Sequence, residues 1–111
     1  MNITLDDVDS ALAFLRDRAV EAAEARATRI YMESWVKSAL AIEMKKHADQ
    51  PLAAQEREAR VSAPYLAALQ ALREAVQEDE KHRFWRAAAE AKIEVWRTIE
   101  ATRRAEGRAY A

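Results

Sequence analysis

The two imidazoles of this sequence, His47 and His82, are the side chains best suited to bind a metal ion or to transfer a proton near neutral pH. Each lies in a charged stretch; His82 follows Glu78 by four residues and precedes Arg86 by four. A zinc site needs three or four converging ligands, and no such spacing surrounds either histidine. We therefore interpret both histidines as solvated or helix-capping residues and expect no metal site.

Pairs of carboxylates could serve acid–base catalysis if a pocket tuned their acidity. Glu74 and Glu78, like Glu90 and Glu94, are four residues apart, which places each pair on one helix face. Arginines lie within reach of both pairs, so surface salt bridges explain them better. The sequence also has no glycine-rich phosphate loop, no nucleophile elbow and no cysteine. We expect a protein that is not an enzyme and has no cofactor.

Aromatic and basic residues are interleaved near the C-terminal end, a pattern found in sites for single-stranded nucleic acid. Trp85 and Trp96 are 11 residues apart, about three helical turns, so they share a helix face. The flanking cations are Arg83, Arg86, Lys92 and Arg97. The alternative is that both indoles fill gaps left by an alanine-rich partner helix, and we prefer it for the rings because aromatic stripes on helices usually form core.

Charge is unevenly distributed, although the net charge is only −1. Residues 1–80 have a net charge of −5 and residues 81–111 a net charge of +4. A basic end can bind a polyanion. It can equally pair with the acidic start of an antiparallel hairpin and so fix its register. The second alternative would place Asp6, Asp7, Asp9 and Asp17 near Arg97, Arg103, Arg104 and Arg108.

Long helices must position these side chains. From Leu5 to Glu106 the chain has no glycine, and its only prolines, Pro51 and Pro64, fall in one short stretch. The sequence on either side is rich in Ala, Glu, Arg, Leu and Lys, which favour helices. We predict an all-α fold in which two long helices form an antiparallel, coiled-coil-like hairpin with a short helical connector.

Capping residues set the predicted helix bounds. Thr4 followed by Asp7 predicts a capping box, Ser62 an N-cap, and Gly107 a left-handed C-terminal cap. The predicted elements are a helix over residues 5–48, a connector over 49–62 and a helix over 63–106, in one domain spanning 1–111. The polar run 77–83 interrupts the apolar stripe of the second helix. This segment is either a helix surrounded by solvent, a kink, or a helix whose long side chains pack through their aliphatic parts while their charged groups stay in water.

Large apolar side chains are few, because alanine supplies much of the hydrophobic half of the composition. One copy can then build only a thin core, and thin cores in long helices usually indicate self-association. We predict a homo-oligomer held by an apolar stripe. The expected interface residues are Leu12, Leu15, Ile30, Tyr31, Trp35, Trp85 and Ile93.

The sequence also bears on location. No apolar run approaches the ~20 residues that span a bilayer. The N-terminus carries Asp6, Asp7 and Asp9 rather than the basic region and apolar core of a secretory signal. The absence of cysteine fits a reducing compartment. We expect a cytoplasmic protein with no membrane partner.

Three stretches of the chain carry a family resemblance. They are RIYMESWVKSAL at 29–40, QEREARVSAPYLAALQALREAV at 55–76 and AKIEVWRTIEATRRAEGRA at 91–109. Together they resemble a family of small all-helical bacteriophage proteins. Members share an aromatic-then-Lys-Ser helix, an Arg-Glu-x-x-Ala type connector and a Trp-Arg close. Their genes lie among phage recombination and single-strand-annealing genes. The family is distantly similar to the recombination mediators of T-even phages, ring-forming helical proteins that bind single-stranded DNA and load a recombinase.

The resemblance implies a homo-oligomeric accessory of phage recombination in the host cytoplasm, with single-stranded DNA and a phage recombinase or annealing protein as partners. The DNA-binding residues that it implies are Lys37, Arg57, Arg60, Trp96, Arg97, Arg103 and Arg104. A second function remains open: a helical adaptor or scaffold that binds only protein, which includes an inhibitor of a host defence system. In that case the basic end only pairs with the acidic start.

Overall fold

The computed structural model describes residues 2–110, and all regular structure in that range is helical. Four helices follow one another: α1 (Leu5–Asp17), α2 (Ala19–Lys45), α3 (Leu52–Arg60) and α4 (Ala63–Tyr110). The described residues form no strand. The predicted all-α class is therefore confirmed, whereas the hairpin arrangement and the homo-oligomer stay predictions.

The start of α1 is the capping box that the sequence predicts. The Asp7 backbone N–H donates to the Thr4 hydroxyl at 3.3 Å, and the Thr4 backbone N–H donates to the Asp7 carboxylate at 2.9 Å. These bonds satisfy N–H groups that the start of a helix leaves without intrahelical partners. The backbone and side-chain hydrogen bonds from Thr4 lower the pKa of Asp7, because they stabilise its charged form.

The predicted helix over 5–48 is interrupted at Arg18, where α1 ends and α2 begins at the next residue. Hydrogen bonding continues across the interruption: the Arg18 N–H donates to the Phe14 carbonyl at 3.0 Å, and the Ala22 N–H donates to the Arg18 carbonyl at 2.9 Å. α2 then ends at Lys45, because the next backbone N–H groups bond three residues back rather than four.

Ser62 joins the end of α3 to the start of α4. Its hydroxyl donates to the Ala59 carbonyl at 2.6 Å and accepts from the Tyr65 N–H at 3.4 Å. Ser62 is thus the N-cap that the sequence predicts, and Pro64 lies in the first turn, where a missing N–H costs little.

The end of α4 differs from the prediction. The helix continues past Glu106 and through Gly107 to Tyr110. The prediction of a left-handed cap at Gly107 is wrong, because no glycine among the described residues has a positive φ. The neighbouring alanines and arginines favour helix, and one glycine inside a helix costs only about 1 kcal/mol.

Contacts within the chain form two groups. We call the described residues up to Ala22 together with those from His82 onward the terminal unit, and residues 23–81 the connector unit. Alanine dominates the buried apolar positions of both units, and the described residues include no large side chain that is completely buried. The buried apolar residues are Val8, Ala11 and Ala89 in the terminal unit, and Ala25, Ala39, Ala59, Tyr65, Ala68 and Ala75 in the connector unit. The core is thin, as the composition predicts.

Candidate interaction surfaces

An aromatic cluster centred on Trp85 packs the terminal unit. The Trp85 indole meets the Phe14 ring of α1 edge-on with centroids 6.2 Å apart, and the His82 ring with centroids 5.5 Å apart. His82 is buried, so its interpretation as a solvated or capping residue is wrong. Its three-residue spacing from Trp85 places both rings on one helix face. Trp85 nevertheless keeps 44% of its surface exposed.

The basic end of the chain pairs mainly within its own helix. Arg97 binds Glu94 at 3.3 Å and Arg103 binds Glu100 at 2.8 Å, while Asp17 of α1 binds its neighbour Arg16. If the acidic start and the basic end fixed the register of a hairpin, these side chains would pair between α1 and α4, and they do not. Lys92 of α4 does act on Asp7 of α1: the Thr4 hydrogen bonds lower the pKa of Asp7 most, and the nearby Lys92 ammonium lowers it further.

Three predicted DNA-binding residues, Trp96, Arg97 and Arg104, line one open depression of about 480 Å³ on α4. Its other walls come from Glu94, Thr98, Glu100 and Ala101. The two carboxylates balance the two guanidinium groups. The depression therefore offers a ring for stacking, but it lacks the excess of positive charge that phosphate binding uses.

The ten predicted DNA-binding residues divide between the two units. Lys37, Arg57 and Arg60 belong to the connector unit, where all three are exposed. Arg60 is held by Glu56 of its own helix at 2.7 Å, and this hydrogen bond raises the pKa of Arg60. The seven in the terminal unit are Arg83, Arg86, Lys92, Trp96, Arg97, Arg103 and Arg104. Trp96 is half-buried and the other six are exposed.

An ion network at Arg29 is a feature of the connector unit that the sequence did not reveal. The guanidinium of Arg29 donates to Glu80 at 2.9 Å, to Asp79 at 3.2 Å and to Glu33 at 3.2 Å. These hydrogen bonds, with the one to Glu80 strongest, raise the pKa of Arg29. The network explains part of the polar run 77–83, whose carboxylates hold α2 through one guanidinium. The sequence does show an arginine on α2 and an acidic run on α4. Whether they pair depends on which residues of the two helices lie opposite each other, and the sequence does not give that.

Large apolar side chains lie on the outside of α2. Tyr31, Trp35 and Ile42 are 65%, 39% and 50% exposed. Their spacings of four and seven residues correspond to about one and two helical turns, so the three share one face. We call these residues the α2 apolar face. The buried residue Ala39 lies at the edge of this face, four residues after Trp35 and three before Ile42, so the face borders the buried side of α2.

The predicted interface residues differ in exposure. Leu15 and Ile93 are half-buried, and the exposed ones are Leu12, Ile30, Tyr31, Trp35 and Trp85. Other large apolar residues of the helices are also exposed, namely Leu5, Ile42, Leu66, Leu69 and Phe84. Periodicity identified the apolar residues but could not show which stripe another helix of the same chain covers.

Among residues 2–110, no helix combines the length and the apolar character needed to cross a membrane. The same residues contain no group of three or more His, Cys, Asp or Glu side chains that could hold a metal ion. Comparison of the sequence with protein-family models, with curated proteins and with solved structures found no significant match.

Proposed function

We propose that this chain is a helical assembly protein, which forms a homo-oligomer through its exposed apolar side chains and serves as an adaptor or scaffold for other proteins. The observation that carries the proposal is the distribution of apolar side chains. Alanines occupy most of the buried positions, whereas two of the three tryptophans are among the exposed residues. Large apolar side chains that the fold leaves exposed are candidates for protein interfaces.

The α2 apolar face is the surface best suited to such an interface. Full burial of a large apolar side chain contributes about 1.5–3 kcal/mol. The exposed parts of Tyr31, Trp35 and Ile42 could therefore supply several kcal/mol between two copies. Tyr and Trp are also the residue types that dominate binding energy at interfaces.

Solution mass tests the proposal. In the double variant Tyr31→Glu with Trp35→Glu, charges replace the two aromatic rings, and we expect the oligomer to dissociate while helical circular dichroism is retained. The matched control is Lys37→Glu, which adds the same charge on another side of α2 and should leave the mass unchanged. A wild-type protein that is monomeric at high micromolar concentration would refute the proposal, and a double variant of unchanged mass would exclude the α2 apolar face as an interface.

A second function is favoured by the depression that Trp96, Arg97 and Arg104 line together. In this alternative the chain is the single-stranded-DNA-binding accessory of phage recombination that the sequence resemblance implies, and it positions a recombinase or annealing protein. Each site would bind weakly, but an oligomer would repeat the site and raise avidity. We rank this function second because Arg97 already donates to a glutamate and the depression has no excess positive charge.

Binding of a fluorescent single-stranded oligonucleotide at low and at moderate salt separates the two functions. The triple variant Arg97→Ala, Arg103→Ala, Arg104→Ala should bind more weakly and with a smaller salt dependence if the DNA function holds. No binding by wild type at low salt, or equal binding by the triple variant, would leave only the protein-binding function.

A further inference from the structure

The C-terminal half of α4 has a second uncharged face besides the one that packs Trp85 against α1. Its positions alternate in spacing between four and three residues without interruption, the repeat of a coiled coil. They are Phe84, Ala88, Ala91, Val95, Thr98, Thr102, Ala105 and Ala109, and we call them the α4 seam. Val95 is half-buried and all the others are exposed.

The end of α4 extends beyond its partner helix in the terminal unit. Phe14 contacts Trp85, and Asp7 near the start of α1 lies near Lys92, so the two helices run in opposite directions. Residues of α4 after about position 96 therefore lie past the start of α1, and residues 101–110 are all exposed. A helical segment of a few turns without packing is marginal in water, so a partner that covers it would stabilise it.

The residues that flank the α4 seam identify this partner. One flank carries Trp85, Lys92, Ile99 and Glu106, and the other carries Ala87, Glu94, Ala101 and Arg108. Suppose that two copies of α4 lie antiparallel, with Thr98 of one opposite Thr102 of the other. Neighbouring flank positions then face each other across the pair, as in antiparallel coiled coils.

Every flank contact in this register is favourable. Lys92 faces the partner's Glu106, and Glu94 faces the partner's Arg108. By two-fold symmetry each ion pair occurs twice. At the axis, Ile99 faces its own copy on one flank and Ala101 faces its own copy on the other.

Other arrangements lose this complementarity. A shift of one heptad places Lys92 opposite Ile99 and Glu94 opposite Ala101, without any ion pair. A shift of two heptads in the direction that lengthens the overlap of the two helices places Lys92 opposite the partner's Lys92 and Glu94 opposite the partner's Glu94. Both of these like-charged pairs repel. In a parallel pair, Glu94 would face Ile99 instead of a cation. Charge therefore selects both the direction and the register.

We propose that a second copy of this chain docks antiparallel on the α4 seam, with the two-fold axis passing between the helices midway between the levels of Thr98 and Thr102. This inference rests on the proposed self-assembly and adds a defined interface to it. In this register the seam residues from Ala91 to Ala109 face each other, and their small side chains allow the two helices to approach closely. Glu94 now binds Arg97 on its own helix, and because both side chains are well exposed this contact is weak and can exchange.

Cross-linking of single-cysteine variants tests the register, since the natural chain has no cysteine. Thr98→Cys and Thr102→Cys should each remain largely uncross-linked alone and form a disulfide-linked dimer when mixed under mild oxidation. The control replaces Thr102→Cys by Arg104→Cys, which lies off the seam, and this mixture should not cross-link. Equal cross-linking in both mixtures, or none in either, would overturn the proposal.

Charge reversal gives a second readout. Lys92→Glu should weaken dimerisation roughly ten-fold, because it changes two ion pairs into repulsions worth a factor of a few each. Adding Glu106→Lys should restore it, although the loss of Lys92 beside Asp7 would remain. Failure of this rescue would contradict the register.

The outcomes also separate this inference from the proposed function. A monomeric wild type would remove both. A stable oligomer that neither cross-links at the seam nor responds to the charge swap would remove only the α4 interface.

Discussion

Replacement of Trp85 should destabilise the terminal unit more than replacement of most partly exposed residues would. Trp→Ala in a core costs about 3–5 kcal/mol. Trp85 keeps 44% of its surface exposed, so about half of that applies, or roughly 2 kcal/mol. The edge-on contacts with Phe14 and His82 add about 0.5–1.5 kcal/mol. We therefore expect Trp85→Ala to lower the free energy of unfolding by about 2.5–3.5 kcal/mol.

Urea unfolding followed by circular dichroism measures this quantity, at a protein concentration low enough to limit self-association. The neighbouring residue provides the control. Phe84 is 69% exposed, so Phe84→Ala should change the free energy of unfolding by less than about 0.5 kcal/mol. If the two variants lose equal stability, or Trp85→Ala loses almost none, then Trp85 does not anchor α1 to α4.

Three further predictions concern other contacts. Arg29→Met should lower the urea midpoint of unfolding, because it removes the cation that Asp79 and Glu80 share; an unchanged midpoint would show that the network is incidental. The pKa of Asp7 is lower in the folded than in the unfolded protein, so the ionised carboxylate stabilises the fold above the unfolded pKa of about 3.8, and this stabilisation is lost as pH falls through the folded pKa. Asp7→Asn should therefore reduce the fall in melting temperature at acid pH. Gly107→Ala should raise the helix content slightly, since the added methyl group meets nothing within 4 Å, and a decrease in circular dichroism would contradict a helical end.

Local signals in the sequence predicted the helix starts correctly. Thr4 and Asp7 form a capping box, and Ser62 caps α4, because these bonds involve residues within one turn of each other. Such contacts need no knowledge of the tertiary arrangement. The all-α class follows for the same reason, from the absence of residues that break helices over long stretches.

Contacts between helices could not be predicted in the same way. The Arg29 network and the burial of His82 both depend on which residues of two helices lie opposite each other. An alanine-rich stripe fixes that register weakly, because neighbouring registers bury similar areas. The left-handed cap expected at Gly107 failed for a different reason, since its helix-forming neighbours continue α4 at small cost.

Sedimentation equilibrium over a range of protein concentrations tests most directly whether sister copies cover the exposed apolar side chains. One chain has a mass of 12.6 kDa. The account predicts a mass that is a multiple of this value at high micromolar concentration and that falls towards 12.6 kDa on dilution. A mass of 12.6 kDa at every concentration, with full helix content, would contradict it.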